Sequence, residues 1–264
     1  MVLSLLVHAL FAAIIPPLQK ESFILMEWDR ETGLPHNHIS TIHQASDGFL
    51  WVGTPAGLVR FDGLQFTMYH SKDIPALPDQ QIISLHQDHY GALWIGTAGG
   101  GLCRYLERTW TRFTTREGLS SNYIRDITSD VSGNVWIGTD YGLNRFRDGE
   151  FTSYTTRDGL LDNVILSLAT DWKGYLWIGT LRGGISQFQN GVVRSYGFAD
   201  GLTNPAVNTL YVDSLNNVWI GTLQGLFYLN RSSGQIRPIT GSHYTPITSI
   251  IGDQTGRIWV STMA

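Results

Sequence analysis

The same four-residue signature returns six times along this chain, as WVGT beginning at Trp51, WIGT at Trp94, Trp136, Trp177 and Trp219, and WVST at Trp259. Successive tryptophans lie 43, 42, 41, 42 and 40 residues apart. A period of that size, carried by short β-like runs and glycine turns, marks one supersecondary unit repeated in series. A residue that returns in every copy therefore answers a demand of the unit, and function is sought where the copies differ.

Aligned on Trp, five of the six copies carry an Asp six residues earlier: Asp88, Asp130, Asp171, Asp213 and Asp253, with Ala45 in the first. Three residues before Trp stands Gly48, Gly91, Gly133, Gly174 or Gly256, and Asn216 in the remaining copy. Asn is the non-glycine residue that best tolerates positive φ, so the position is expected to be left-handed in a tight turn that the Asp side chain caps. Six residues after Trp comes Gly57, Gly100, Gly142, Gly183 or Gly225, closing a second turn. Two copies insert a further glycine, Gly101 and Gly184, which reads as a β-bulge or a one-residue longer turn.

In the third unit the pattern resolves into four strands: A near Tyr123 to Ser129, B near Asn134 to Thr139, C near Leu143 to Phe146 and D near Glu150 to Thr155. The runs are short, rich in β-branched and aromatic residues, and bounded by Gly or Asp turns, while no stretch shows a sustained helical period. The expected fold is all-β, a β-propeller of four-stranded blades of about 42 residues. Its tryptophans are expected in the seams between blades. Five blades are complete, a sixth stops after its B strand, and Phe23 to Trp28 reads as an outer strand that completes the last blade. The tally predicts a piece of a seven-bladed ring.

A chain of 264 residues that is 42% hydrophobic and 15% charged has ample material for such a core. A net charge of −4 with no Lys/Arg cluster argues against a nucleic-acid partner. The single cysteine, Cys103, excludes an intrachain disulfide and falls on a C strand where other blades carry Val59, Asn144 and Phe227. Residues 1–15 are almost wholly apolar, too short for a comfortable membrane span and matching the hydrophobic region of a secretory signal. No Lys or Arg precedes that run, which leaves an imprecise start or a short anchor as the alternative. The domain reading is a signal peptide and linker over 1–21 and a propeller over 22–264, on the periplasmic or extracytoplasmic side.

The unit FTSYTTRDGLLDNVILSLATDWKGYLWIGTLRGGISQF, beginning at Phe151, closely resembles the two-component regulator propeller repeat. The GL-x-x-N, D-x-x-G-x-x-W-[IV]-G-T and G-L-x-R-[FY] elements recur together and in order from about Phe23 to the end, including the segment WDRETGLPHNHISTIHQASDGFLWVGTPAGLVRFDG. The resemblance implies an extracytoplasmic sensor module of a histidine kinase or diguanylate cyclase. The sequence holds no kinase phosphoacceptor region, nucleotide site or GGDEF motif, so the chain is expected to be the N-terminal sensor fragment, non-enzymatic by itself. Any membrane contact would come through a missing C-terminal segment, and the full-length protein could form a dimer.

Propeller geometry puts the D-to-A and B-to-C loops on one face. There Asn37, Asn122 and Asn163 recur, with Gln80 as a near equivalent, and are assigned to loop capping. The B-to-C turns differ between blades, and Asp140, Tyr141, Arg182 and Gln224 are the candidate ligand-binding residues. Such a polar, partly aromatic set suits a small molecule or oligosaccharide, for which ring stacking and bidentate hydrogen bonds combine. His36 with His38, and His86 with Asp88 and His89, lack the further ligands of a metal set. The run GTAGGGL at Gly96 has neither the Lys nor the following helix of a phosphate loop. No cofactor, metal or catalytic residue is expected. The competing function is a propeller lyase resembling streptogramin lyase, which would need a His and an acid gathered at the channel mouth. A protein scaffold is a third, and the GH and WD pairs of the intracellular scaffold propellers are missing.

Overall fold

The computed structural model describes residues 26–77, 81–189, 191–231, 233–242, 245–253 and 255–262. Blade 1 consists of β1 (Thr41–Gln44), β2 (Leu50–Thr54), β3 (Gly57–Phe61) and β4 (Phe66–Tyr69). Blade 2 has β5 (Ile82–Gln87), β6 (Leu93–Thr97), β7 (Leu102–Leu106) and β8 (Thr109–Phe113), and blade 3 has β9 (Ile124–Ser129), β10 (Val135–Thr139), β11 (Gly142–Arg147) and β12 (Glu150–Tyr154). Blade 4 follows with β13 (Ile165–Thr170), β14 (Leu176–Thr180), β15 (Ile185–Gln189) and β16 (Val192–Tyr196). Blade 5 has β17 (Val207–Val212), β18 (Val218–Thr222), β19 (Gly225–Asn230) and β20 (Gln235–Pro238), and a two-stranded sixth sheet pairs β21 (Ile247–Gly252) with β22 (Ile258–Thr262). Every sheet is an antiparallel meander in sequence order, and the first strands β1, β5, β9, β13, β17 and β21 pack on one another in succession. This is a β-propeller with five four-stranded blades and half of a sixth.

The expected turn chemistry is present. Gly48, Gly91, Gly133, Gly174 and Gly256 have φ of 88, 84, 84, 81 and 82°, and Asn216 takes the same left-handed conformation at 67°. The Asp does more than cap the turn. In blade 3 Asp130 Oδ1 accepts the backbone N–H groups of Ser132 and Asn134, at 2.9 and 3.0 Å, while Oδ2 accepts the indole N–H of Trp136 at 2.8 Å. The same indole-to-carboxylate bond recurs at Trp94, Trp177, Trp219 and Trp259. One side chain thus ties the turn to the core, and of these six tryptophans only Trp51, whose blade has Ala45 in place of the Asp, lacks it.

Trp51, Trp94, Trp136 and Trp177 are buried in the seams between blades, and Trp219 and Trp259 are partly open beside the half blade. Burying each indole contributes roughly 2 to 3 kcal/mol. An Arg from the neighbouring C strand covers two of them, Arg60 over Trp51 at 6.0 Å and Arg104 over Trp94 at 5.8 Å. Blade 4 has Gln187 in that register, and Arg231 of blade 5 covers Trp177 instead, at 5.5 Å, while pairing with the fully enclosed Asp171 at 3.0 Å. The glycine of WIGT is fixed by a close approach. A Cβ on Gly138 would stand 2.7 Å from Ile165 Cγ2, at the start of the next blade's inner strand.

The two inserted glycines make a longer turn and no bulge. Thr97 and Thr180 close on Gly101 and Gly184, where Thr54 closes on Gly57 one residue sooner. The expected outer strand at Phe23 to Trp28 lies partly outside the described residues, and Met26 to Trp28 belong to no strand. Trp28 nevertheless packs on Phe61 and Phe66, at 5.1 and 6.3 Å, as Phe113 at the end of β8 packs on Phe146 and Phe151 at 5.3 and 5.5 Å. It occupies the place of a preceding blade's outer-strand terminus. The apolar run at residues 1–15 lies outside the described residues. No helix among the described residues is long and apolar enough to cross a membrane.

Candidate functional site

The loops that join each blade to the next and the turns between second and third strands share one face. The Asn residues assigned to capping do that work: Asn37, Asn122 and Asn163 each accept the backbone N–H seven residues earlier, of Arg30, Thr115 and Thr156, at 3.0, 2.9 and 2.9 Å. Gln80 lies outside the described residues. These bonds fold each inter-blade loop back on itself and leave the second-to-third-strand turns standing clear.

Asp140, Tyr141, Arg182 and Gln224 all sit on those turns, in the consecutive blades 3, 4 and 5. Tyr141 is 69% exposed. Its backbone N–H, like that of Gln224, is held by the threonine that closes the turn. Arg182 is exposed, and its backbone N–H donates to Asp162 Oδ2 at 2.9 Å. It borders a small cavity of about 60 Å³ whose other walls include Phe198, Leu202 and Pro205. Asp140 is half-buried and bonded at 2.7 Å to Nε of Arg125, whose guanidinium lies 4.4 Å over the Tyr123 ring. The four residues share a face and make no hydrogen bond or ion pair with one another. Arg125 is not legible from the variation of the turns, because it lies on an inner strand.

A wider cavity, of about 630 Å³, lies on the opposite face between blades 4 and 5, lined by Thr170, Trp172, Tyr211, Val212, Asp213 and Ser214. Trp172 is 66% exposed there, with Lys173 Nζ 5.2 Å from its ring. A signal for it was available, since Ser46, His89, Val131 and Ser214 fill the equivalent turn position in other blades.

Burial governs the titrating groups of the inner strands. His86 is held down at about 4 by desolvation, with the neighbouring His43 adding to the effect and Asp88 opposing it. Its Nε2 lies 2.8 Å from Ser129 Oγ, and burial lowers His43 as well, so both rings are neutral at pH 7. Burial pushes the Cys103 thiol up to about 12 against the pull of Arg112, which leaves it protonated and inert. Asp126, on β9, is raised to about 6 by desolvation, against two backbone N–H bonds, from Leu168 of the next blade at 2.7 Å and from Ile127. On the loop face, the ring nitrogen Nδ1 of His36 accepts the backbone N–H of His38 at 2.8 Å, and neither ring hydrogen-bonds a carboxylate among the described residues. Among the described residues no cluster of three His, Cys, Asp or Glu side chains could hold a metal ion.

The two component regulator propeller model matches this chain over residues 33–56, 76–99, 118–141 and 201–224, each time from the inter-blade loop through the first two strands of a blade. These are two-component regulator propeller repeats. Among solved structures, the propeller is similar to the extracellular domain assigned to the hybrid two component system BT3049 of B. thetaiotaomicron, at 24% identity and TM-score 0.72, covering 84% of this chain and 31% of that one. The extracellular domain of BT4673 from the same organism matches at 22% and 0.72, covering 87% and 33%. The chain thus spans about a third of the length of these relatives. Virginiamycin B lyase from Staphylococcus aureus shares the fold at 16% identity and TM-score 0.70, with 87% and 79% covered. At these identities the likeness is one of fold. No curated protein matches by sequence.

Proposed function

We propose that this chain is the ligand-sensing part of a bacterial signal-transduction protein, of two-component or cyclic-di-GMP type, acting outside the cytoplasm without catalysis of its own. The observation that carries the reading is the contrast within the repeat. Turn Asp, core Trp and capping Asn return blade after blade, while the second-to-third-strand turns present a different pair of side chains in each. Architecture would fix them; recognition is what frees them to differ. The family of the repeats and the extracellular setting named for the similar structures support this placement. The ligand class best suited to Asp140, Tyr141, Arg182 and Gln224 is a small molecule or oligosaccharide, stacked on Tyr141 and hydrogen-bonded by the others. Titration of a saccharide panel by calorimetry tests it. Binding that weakens in Asp140→Ala and Arg182→Ala at unchanged melting temperature supports the face, and a panel without a single binder removes the assignment.

A further inference from the structure

We propose that Arg125 is the recognition residue of this face and takes a carboxylate group of the ligand, while Asp140 serves to position it; the inference rests on the ligand-face reading above. Arg125 is the extra residue of a bulge. Asp126 opposes Gly138 and Ile124 opposes Thr139, so Arg125 faces no partner and leaves the ladder. The same irregularity recurs in four other blades, where the extra residue is Ile83, Leu166, Asn208 or Thr248. The blade requires a bulge here and does not require a charge.

What surrounds Arg125 sets its geometry. Its Nε–H donates to Asp140 Oδ1 at 2.7 Å and the guanidinium carbon lies over the Tyr123 ring, 4.4 Å from the centroid. The side chain is 35% exposed. No protein group among the described residues takes the terminal Nη hydrogens. This differs from Arg60, Arg104 and Arg145, whose Nε atoms are buried without partners on the C strands. A guanidinium clamped along one edge and over one face has already lost most of its freedom, so ordering it on binding costs little. Its outer edge offers two parallel N–H groups, the pattern that a planar carboxylate accepts in bidentate fashion. Asp140 already neutralises one unit of charge, which suits a carboxylate group, with its single charge, and disfavours a phosphate group that carries two on one centre. Arg182, on the next blade's turn, adds positive charge to the same face.

The test uses the protein labelled with ¹⁵N-arginine, following the Arg125 Nε–Hε resonance, identified by its loss in Arg125→Lys, and backbone arginine resonances through a titration. The probes are succinate, its neutral analogue succinamide and inorganic phosphate. Succinate is expected to shift the signals saturably, succinamide not to, and phosphate to bind more weakly. Arg125→Lys should weaken succinate about tenfold or more, the loss of one bidentate contact. Asp140→Asn should weaken succinate and shift the Arg125 Nε–Hε resonance, with both restored in Asp140→Glu, a pattern that a purely structural Asp140 would not produce. Equal succinate affinity in wild type and Arg125→Lys, an equal response to succinamide, or tighter binding of phosphate overturns the proposal. If Arg125→Lys binds as wild type while Asp140→Ala and Arg182→Ala lose a panel ligand, Arg125 is wrong and the face stands. If neither succinate nor any panel member saturates, both fall.

Discussion

Replacing Asp126 by Asn should stabilise the propeller at neutral pH and leave it unchanged near pH 4. Where Asp126 opposes the WIGT glycine, the other blades place Thr41, Ser84, Ser167, Thr209 and Ser249, so the carboxylate is this blade's own. It reaches across the seam to the Leu168 N–H, and desolvation raises it from 3.8 to about 6. Between those two values the native chain holds a proton that the unfolded chain has released. Stability from this group therefore falls as pH rises from about 4 to 6 and stays low above. Two pH units correspond to about 3 kcal/mol, an upper figure because part of the Asp126 surface still meets solvent. His86 works in the opposite sense. Held at about 4 against an ordinary 6.5, it stays neutral while the unfolded chain takes up a proton, so its contribution rises with pH over nearly the same window. The two slopes offset each other in the wild type, and only the difference between variant and wild type isolates Asp126. Asn keeps an oxygen acceptor for Leu168. Urea unfolding followed by tryptophan fluorescence from pH 4 to 8 should show Asp126→Asn more stable by about 1 to 3 kcal/mol above pH 6, the gap closing toward pH 4. A gap independent of pH, or a variant weaker at pH 8, would refute the desolvation argument.

Trp136→Ala should lower stability by about 3 to 5 kcal/mol and leave the affinity of any ligand on the loop face untouched; lost binding in a folded variant would make that Trp a contact. Ala45→Asp should supply the carboxylate that Trp51 lacks and add about 1 kcal/mol, read as a higher urea midpoint at unchanged slope. Trp172→Ala, on the opposite face, should change stability by less than about 0.5 kcal/mol and leave ligand affinity as it was. Abolished binding there would move the site to the Trp172 and Tyr211 cavity.

The blade was legible because it is overdetermined. Asp, Gly and Trp return at fixed offsets, and Asn216 in a glycine's place marks the left-handed turn in the sequence itself. The strands of blade 3 fall within about two residues of their expected bounds. The indole-to-carboxylate bond is also legible there, in the constant six-residue offset between Asp and Trp. Arg231 is not. It replaces the missing C-strand Arg of blade 4 from a turn in blade 5, and no alignment of copies places it beside Trp177, because the contact is made in the seam.

The same distinction bears on the candidate site. The turns stand out in the sequence because their residues vary, and variation is a property of one position at a time. Recognition depends on pairs. Asp140 varies, yet its nearest charged partner is Arg125, fifteen residues earlier on another strand, and the pair exists only because a bulge turns Arg125 out of the ladder. A residue free to differ between blades can therefore serve the ligand directly or serve the residue that does. Asp140 spends one carboxylate oxygen on Arg125 Nε, and the guanidinium so fixed is held beside the turns that define the face. The sequence located that face through its least repetitive residues, and the bulge in the inner strand beneath it carries the side chain proposed to read a ligand.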